Sequence, residues 1–139
     1  MVDVERVILL KSSPIFEETP DRALASLAAL ADHLEITAGE TVIHKGDLES
    51  CLYVIARGKM RVHDEERSIA VLETGEIIGE MALLDPAPRS ASVTAMEDSI
   101  LFRLEKEAFD IALADNPEIA HGVLRVLCRR LRTQIQRSA

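Results

Sequence analysis

At 139 residues the chain is long enough for one domain with a sizeable apolar core and too short for two independent ones. Hydrophobic residues at 47% and charged residues at 29% exclude a disordered chain, and 3% aromatics without Trp exclude a base-stacking platform for single-stranded nucleic acid. Sixteen Lys and Arg against 24 Asp and Glu give a net charge of −8, which excludes the basic footprint of a non-specific DNA or RNA binder.

The opening Met1-Val2-Asp3-Val4-Glu5-Arg6 is acidic and its apolar run is short, so no signal peptide is expected. No stretch approaches the roughly 18 apolar residues of a membrane span. The expected compartment is the cytoplasm. Residues 1–33 follow a helical pattern. Pro14 breaks the first segment, and Pro20-Asp21 starts a second helix with Leu24, Leu27, Ala28, Leu30 and Ala31 on one face. Thr19 is the expected N-cap of that helix.

From Ile36 the texture changes. Five of the six glycines fall between residues 39 and 79 and separate short β-prone runs. These are Thr41–His44, Cys51–Ile55, the alternating Lys59–His63, Ile69–Leu72, Ala91–Ala95 and Ile100–Leu104. Short strands with turn signals every 8–12 residues indicate a sandwich, jelly roll or barrel. After Leu104 the pattern returns to helix. Glu105 to Ala114 forms one segment, and Asp115-Asn116-Pro117 supplies a cap followed by a proline start. The last helix runs from about Glu118 to the end, with an apolar stripe of Ala120, Leu124, Leu127, Leu131 and Ile135. Such a stripe usually packs on its own domain, yet its length leaves room for a partner helix, including that of a second copy in a homodimer. Its five arginines (Arg125, Arg129, Arg130, Arg132, Arg137) read first as a solvated face. The layout is a single domain, residues 1–139, mainly β with flanking helices: N-terminal helices over 1–33, a β body over 34–104 and two C-terminal helices over 105–139.

Chemistry concentrates in one segment, about residues 75–93. Gly79 permits a turn without a Cβ penalty, and a short helix then begins at Glu80 to Leu84. Its free amides point at whatever sits before it, an anion site by geometry. Pro86 and Pro88 stiffen the return to Arg89, whose guanidinium fork matches phosphate oxygens in pairs. Glu80 needs hydroxyl donors instead. A sugar ring bearing a phosphate satisfies both demands. The competing reading of the same two residues is a salt bridge that merely closes a loop.

The whole pattern resembles the phosphate-binding cassette of the cyclic-nucleotide-binding domain family, which includes bacterial catabolite activator proteins and protein kinase A regulatory subunits. The matching residues are Gly79-Glu80-Met81-Ala82-Leu83-Leu84 and Arg89-Ser90-Ala91. Upstream, Ala38-Gly39-Glu40-Thr41-Val42-Ile43, Lys45-Gly46-Asp47 and Leu52-Tyr53-Val54-Ile55-Ala56-Arg57-Gly58 also match, so the resemblance covers essentially the full chain. It implies an eight-stranded jelly-roll-like β-roll, with a ligand site of Ile78, Gly79, Glu80, Met81, Ala82, Arg89, Ser90 and Ala91. By that resemblance Glu80 accepts from the ribose 2′-hydroxyl, while Arg89 and amides near Ala82 hold the cyclic phosphate. Ser90 lies near the phosphate or base edge, Ala91 contributes backbone, and Ile78 and Val71 wall the ribose or base. A residue of the last helix, among Leu127, Arg130 and Leu131, covers the base. The resemblance favours cyclic AMP, with cyclic GMP the alternative, and no cofactor.

Competing classes stay open at this level. A metal enzyme would need clustered histidines, and His33, His44, His63 and His121 form no His-x-His pair; no metal ligands and no catalytic residues are expected. Cys51 and Cys128 form no close-spaced pair and read as small buried hydrophobes. The expected role is a regulatory sensor rather than an enzyme, controlling an output domain in a longer parent chain or a separate partner. A DNA-binding regulator without its helix-turn-helix, or a ligand-free scaffold, are the alternatives. The sequence itself offers no recognition helix for a groove, so no nucleic acid is expected to bind this chain alone.

Overall fold

The computed structural model describes residues 4–138, which divide into a β unit, Ala31–Lys106, and a helical unit from the two flanking segments. In the β unit the strands are β1 (Asp32–Ile36), β2 (Thr41–Ile43), β3 (Leu48–Glu49), β4 (Cys51–Arg57), β5 (Lys59–Asp64), β6 (Arg67–Glu73), β7 (Ile77–Ile78), β8 (Ala87–Pro88), β9 (Ser92–Ala95) and β10 (Ser99–Glu105). Eight of them form two four-stranded antiparallel sheets, β1-β10-β4-β7 and β2-β9-β5-β6. The remaining two, β3 and β8, pair as a separate ribbon that the sequence does not signal.

Alternation of side chains along each strand builds the core. Ile36, Tyr53, Ile55 and Leu101 from one sheet meet Ile43, Met60, Val93 and Ala95 from the other. Each fully buried aliphatic side chain of this kind contributes about 1.5–3 kcal/mol. Met60 and Leu72 face each other across β5 and β6, with Met60 buried and Leu72 packed on the core. Val71 therefore turns to the opposite face, beside Arg61, and is 49% exposed. Val71 therefore stands outside the core that Ile78 packs against.

β1 begins at Asp32, so the N-terminal helical segment ends earlier than residue 33; Asp32 and His33 already pair with Arg103 and Phe102. The helical unit holds α1 (Val4–Lys11), a 3-10 turn at Pro14–Phe16, α2 (Asp21–Leu30), α4 (Lys106–Asp115) and α5 (Glu118–Ser138); α3 (Glu80–Leu84) lies in the β unit. The rings of Phe16 and Phe109 sit 6.3 Å apart. Thr19 does not cap α2. The Pro20 carbonyl accepts from Ala23 and Leu24, while the buried Thr19 Oγ1 has no partner. Asn116 donates its side-chain amide to the Ala112 carbonyl at 3.2 Å, closing α4.

α5 buries a different face from the expected stripe. Ile119, Val123 and Val126 are buried, whereas Leu124, Leu131 and Ile135 are 58%, 62% and 60% exposed. Two apolar rows run along the helix, and the one containing Gly122 packs inward. A Cβ on Gly122 would lie 2.9 Å from Thr19 Oγ1 and 3.0 Å from the Glu18 carbonyl oxygen, so only glycine allows this approach. Arg129 binds Glu17 and Glu18 at 3.2 and 3.4 Å, so it is an ion-pairing residue and not merely solvated. The cysteines also differ from expectation: Cys51 is half-buried and Cys128 exposed, because Cys128 falls on the outer row of α5.

Candidate functional site

The cassette is carried on strands at both its ends. Upstream, β7 pairs antiparallel with β4, Ile78 opposite Tyr53, and Ile78 packs against the core. The chain then turns at Gly79, whose φ of 85° is left-handed and favours a residue without Cβ. A Cβ there would collide with Arg89 Nη1 and come within 2.8 Å of the Cys51 carbonyl oxygen. α3 starts at Glu80, and its first helical bond runs from the Leu83 amide to the Gly79 carbonyl at 3.2 Å. The amides of Glu80, Met81 and Ala82 precede that bond in the chain. Ala82 and Leu83 anchor the short helix inside, and Met81 is 67% exposed.

Downstream, the return arm is held by the ribbon. Leu48 pairs with Pro88 and Glu49 with Ala87. Two further bonds fix Arg89 itself: its amide donates to the Asp47 carbonyl at 2.9 Å, and its carbonyl accepts from Gly46 at 2.8 Å. Its Nη2 donates to the Cys51 carbonyl at 2.7 Å. The Arg89 Nε is buried without a hydrogen-bond partner. A buried guanidinium N–H left unmade costs about 1–3 kcal/mol or more, and an anion would satisfy it. Ser90 is exposed and Ala91 half-buried beyond the arm. Ser92 Oγ accepts from the Lys45 amide at 2.9 Å, tying the start of β9 to the loop before β3.

Ile78, at the end of β7, and Gly79, Glu80, Met81, Ala82, Arg89, Ser90 and Ala91, between β7 and β9, thus follow one another on one continuous excursion. Gly79 and Arg89 are brought into direct contact. The partner that sequence reasoning missed is the Cys51 carbonyl, because a backbone acceptor leaves no mark on residue identity. It also missed the neighbouring pair of Tyr53 and Glu49, whose hydroxyl and carboxylate are 3.0 Å apart. Burial first, then the Glu49 carboxylate, pushes the Tyr53 hydroxyl well above its ordinary range. Burial likewise raises the Cys51 thiol, with Glu49 and Glu105 adding to the effect. That disfavours a thiolate at Cys51.

The histidines hold no ligand set. His63 bonds the Glu65 carbonyl at 2.6 Å and Thr94 Oγ1 at 2.7 Å, and His44 and His33 face Asp47 and Glu35. Among the described residues no group of three or more His, Cys, Asp or Glu could hold a metal ion. No helix among them is long and apolar enough to cross a membrane.

An antiparallel roll with a glycine-opened short helix and an anchored arginine on one loop defines a β-roll ligand-binding domain. This chain belongs to the cyclic nucleotide-binding domain family, whose sequence profile matches residues 33–116. It is 36% identical over 129 residues to the cyclic AMP receptor protein of Thermus thermophilus, covering 88% of this chain and 59% of that protein. Among solved structures it resembles the N-terminal domain of a transcriptional regulator from Streptomyces coelicolor, with 33% identity and a TM-score of 0.87 over 94% of this chain and 95% of that one. It is also similar to the regulatory domain of Toxoplasma gondii PKA in co-crystal with cAMP, at 28% identity and a TM-score of 0.72 over 78% of this chain and 43% of that one. The chain spans less than two thirds of the length of the Thermus relative.

Proposed function

We propose that this chain is a cytoplasmic regulatory sensor that binds cyclic AMP in preference to cyclic GMP, and is not itself an enzyme. The carrying observation is Arg89: one guanidinium nitrogen is anchored on the Cys51 carbonyl, while its Nε is buried and unmatched beside the turn at Gly79. In this reading Arg89 and the amides near Ala82 hold the cyclic phosphate and Glu80 takes the ribose hydroxyl. Ile78, Gly79, Met81, Ser90 and Ala91 shape the remainder. The similarity to the Thermus cyclic AMP receptor protein supports the choice of nucleotide.

Occupancy is relayed through α5 to an output. Similarity to the N-terminal domain of a transcriptional regulator favours transcription control as that output, executed by a DNA-reading element beyond this domain. The exposed row of α5 supports a homodimer. Leu124, Cys128, Leu131 and Ile135 are spaced by four, three and four, with Leu at d and Ile at a, the combination that favours parallel two-stranded coils. Leu127 and Gln134 at the flanking g positions bring no charge to repel Arg125 and Arg132 at e.

Calorimetry with cyclic AMP and cyclic GMP on the wild type and Arg89→Ala tests the reading. Loss of a charge-assisted contact of about 1.5–3 kcal/mol weakens binding by at least roughly tenfold. Equal affinity in the variant, or no binding of either nucleotide by the wild type, overturns the assignment.

A further inference from the structure

The ribbon that carries Arg89 belongs to neither four-stranded sheet, and a two-stranded ribbon alone is marginal in water. Its position therefore depends on the bonds that tie it to the roll. Two of them are backbone acceptors: Ser50 O receives the Lys106 amide at 2.9 Å, and Cys51 O receives Arg89 itself. The bond from the Lys45 amide to Ser92 Oγ is a further tie, and a side-chain tether adds to them. Tyr53, 4% exposed and seated in the core, donates its hydroxyl to Glu49, the β3 residue opposite Ala87. Tyr53 also pairs with Ile78 through β4 and β7. One residue thus touches both arms of the cassette, the arm that starts at Gly79 by its strand and the arm that ends at Arg89 by its hydroxyl.

Resting on the cyclic-nucleotide reading of the site, we infer that Tyr53, acting through Glu49, is a positioning residue that sets the Arg89 arm against the Glu80 arm for ligand binding. The phenol–carboxylate bond is charge-assisted and shielded, so it holds a short two-residue strand more firmly than a neutral surface contact would. Core packing by the Tyr53 ring is a separate contribution, which Phe retains.

The experiment measures cyclic AMP binding by calorimetry for the wild type, Tyr53→Phe, Glu49→Gln, Glu49→Ala, Arg89→Lys and the double variant Tyr53→Phe with Arg89→Lys. Thermal denaturation confirms that each is folded. Tyr53→Phe and Glu49→Ala weaken binding about 3- to 10-fold, the span of one hydrogen bond. Glu49→Gln, whose carboxamide oxygen still accepts but carries no charge, falls between the wild type and Glu49→Ala. With Lys at 89 the guanidinium fork is already lost, so Tyr53→Phe adds much less than in the wild-type background. Wild-type affinity in Tyr53→Phe, or an equal cost in both backgrounds, overturns the inference while leaving the ligand assignment intact. Absence of cyclic AMP binding by the wild type instead removes the assignment on which it rests.

Discussion

Arg89 and Cys51 are 38 positions apart, yet the guanidinium Nη2 of one lies 2.7 Å from the carbonyl oxygen of the other. Gly79 faces both, and the space a Cβ would need there is occupied by the Arg89 guanidinium and bounded by the Cys51 oxygen. Gly79→Ala therefore either displaces the arginine or shifts strand β4, and it also forces alanine to a φ of 85°. The left-handed strain alone costs about 1–2 kcal/mol. The expected result is roughly 2–4 kcal/mol of lost stability in urea unfolding with at least tenfold weaker cyclic nucleotide binding. A variant with unchanged binding contradicts the contact described.

Gly122→Ala sets two effects of opposite sign against each other. Alanine gains about 1 kcal/mol of helix propensity over glycine. Against that, its methyl meets the Glu18 backbone at 3.0–3.1 Å, and backbone cannot rotate aside as a side chain can. Overpacking of this kind costs about 1–3 kcal/mol, so the net change is destabilising. Thr19→Ala removes the other obstacle, an unpaired hydroxyl, and the double variant loses less than the sum of the two single ones. Denaturant melts of the four proteins check this.

Alkaline pH isolates Tyr53, because it is the only tyrosine and the chain has no tryptophan. Its folded pKa is raised above the unfolded value of about 10. Above pH ~10 the unfolded chain sheds the phenolic proton while the folded chain keeps it, so stability falls as pH rises. Tyr53→Phe lacks this component, and its stability declines less steeply over the same window. Tyrosinate absorbance in the wild type should appear together with unfolding; a tyrosinate signal from the fully folded protein near pH 10 would contradict the buried pairing.

Leu131→Glu places a charge at the centre of the exposed α5 row and should abolish self-association in sedimentation analysis without unfolding the chain. Cys128 supplies an internal reporter. In a parallel pair with the proposed spacing, the two thiols oppose each other, and a thiol oxidant such as diamide cross-links them. A wild type that stays monomeric at high concentration and resists cross-linking refutes the dimer.

The parts most legible in the sequence were those with a stereochemical necessity. Glycines between the strands, the alternation of Lys59–His63 and the run Gly79-Glu80 followed by Arg89-Ser90-Ala91 all marked backbone or charge requirements that residue identity expresses. β1 was hidden because Asp32, His33 and Glu35 give it little apolar alternation, and its pairing with β10 decides its conformation. The β3–β8 ribbon was hidden by its two-residue strands and by Pro88. On α5 both apolar rows have helical spacing, so periodicity alone could not say which one packs inward. The tether from Tyr53 to Glu49 links side chains four positions apart on successive strands, a relation visible only once the loop at Ser50 has a shape.

Because β3 and β8 meet across some forty positions of chain, the arginine arm cannot be assembled by any local fragment. Long-separation pairings of this sort must meet the loop-closure entropy before their contacts reward it. A nascent or half-folded copy would therefore own every residue of the loop and still lack the geometry that the proposed ligand needs. On the cyclic-nucleotide reading, responsiveness is reserved for molecules that have completed the roll.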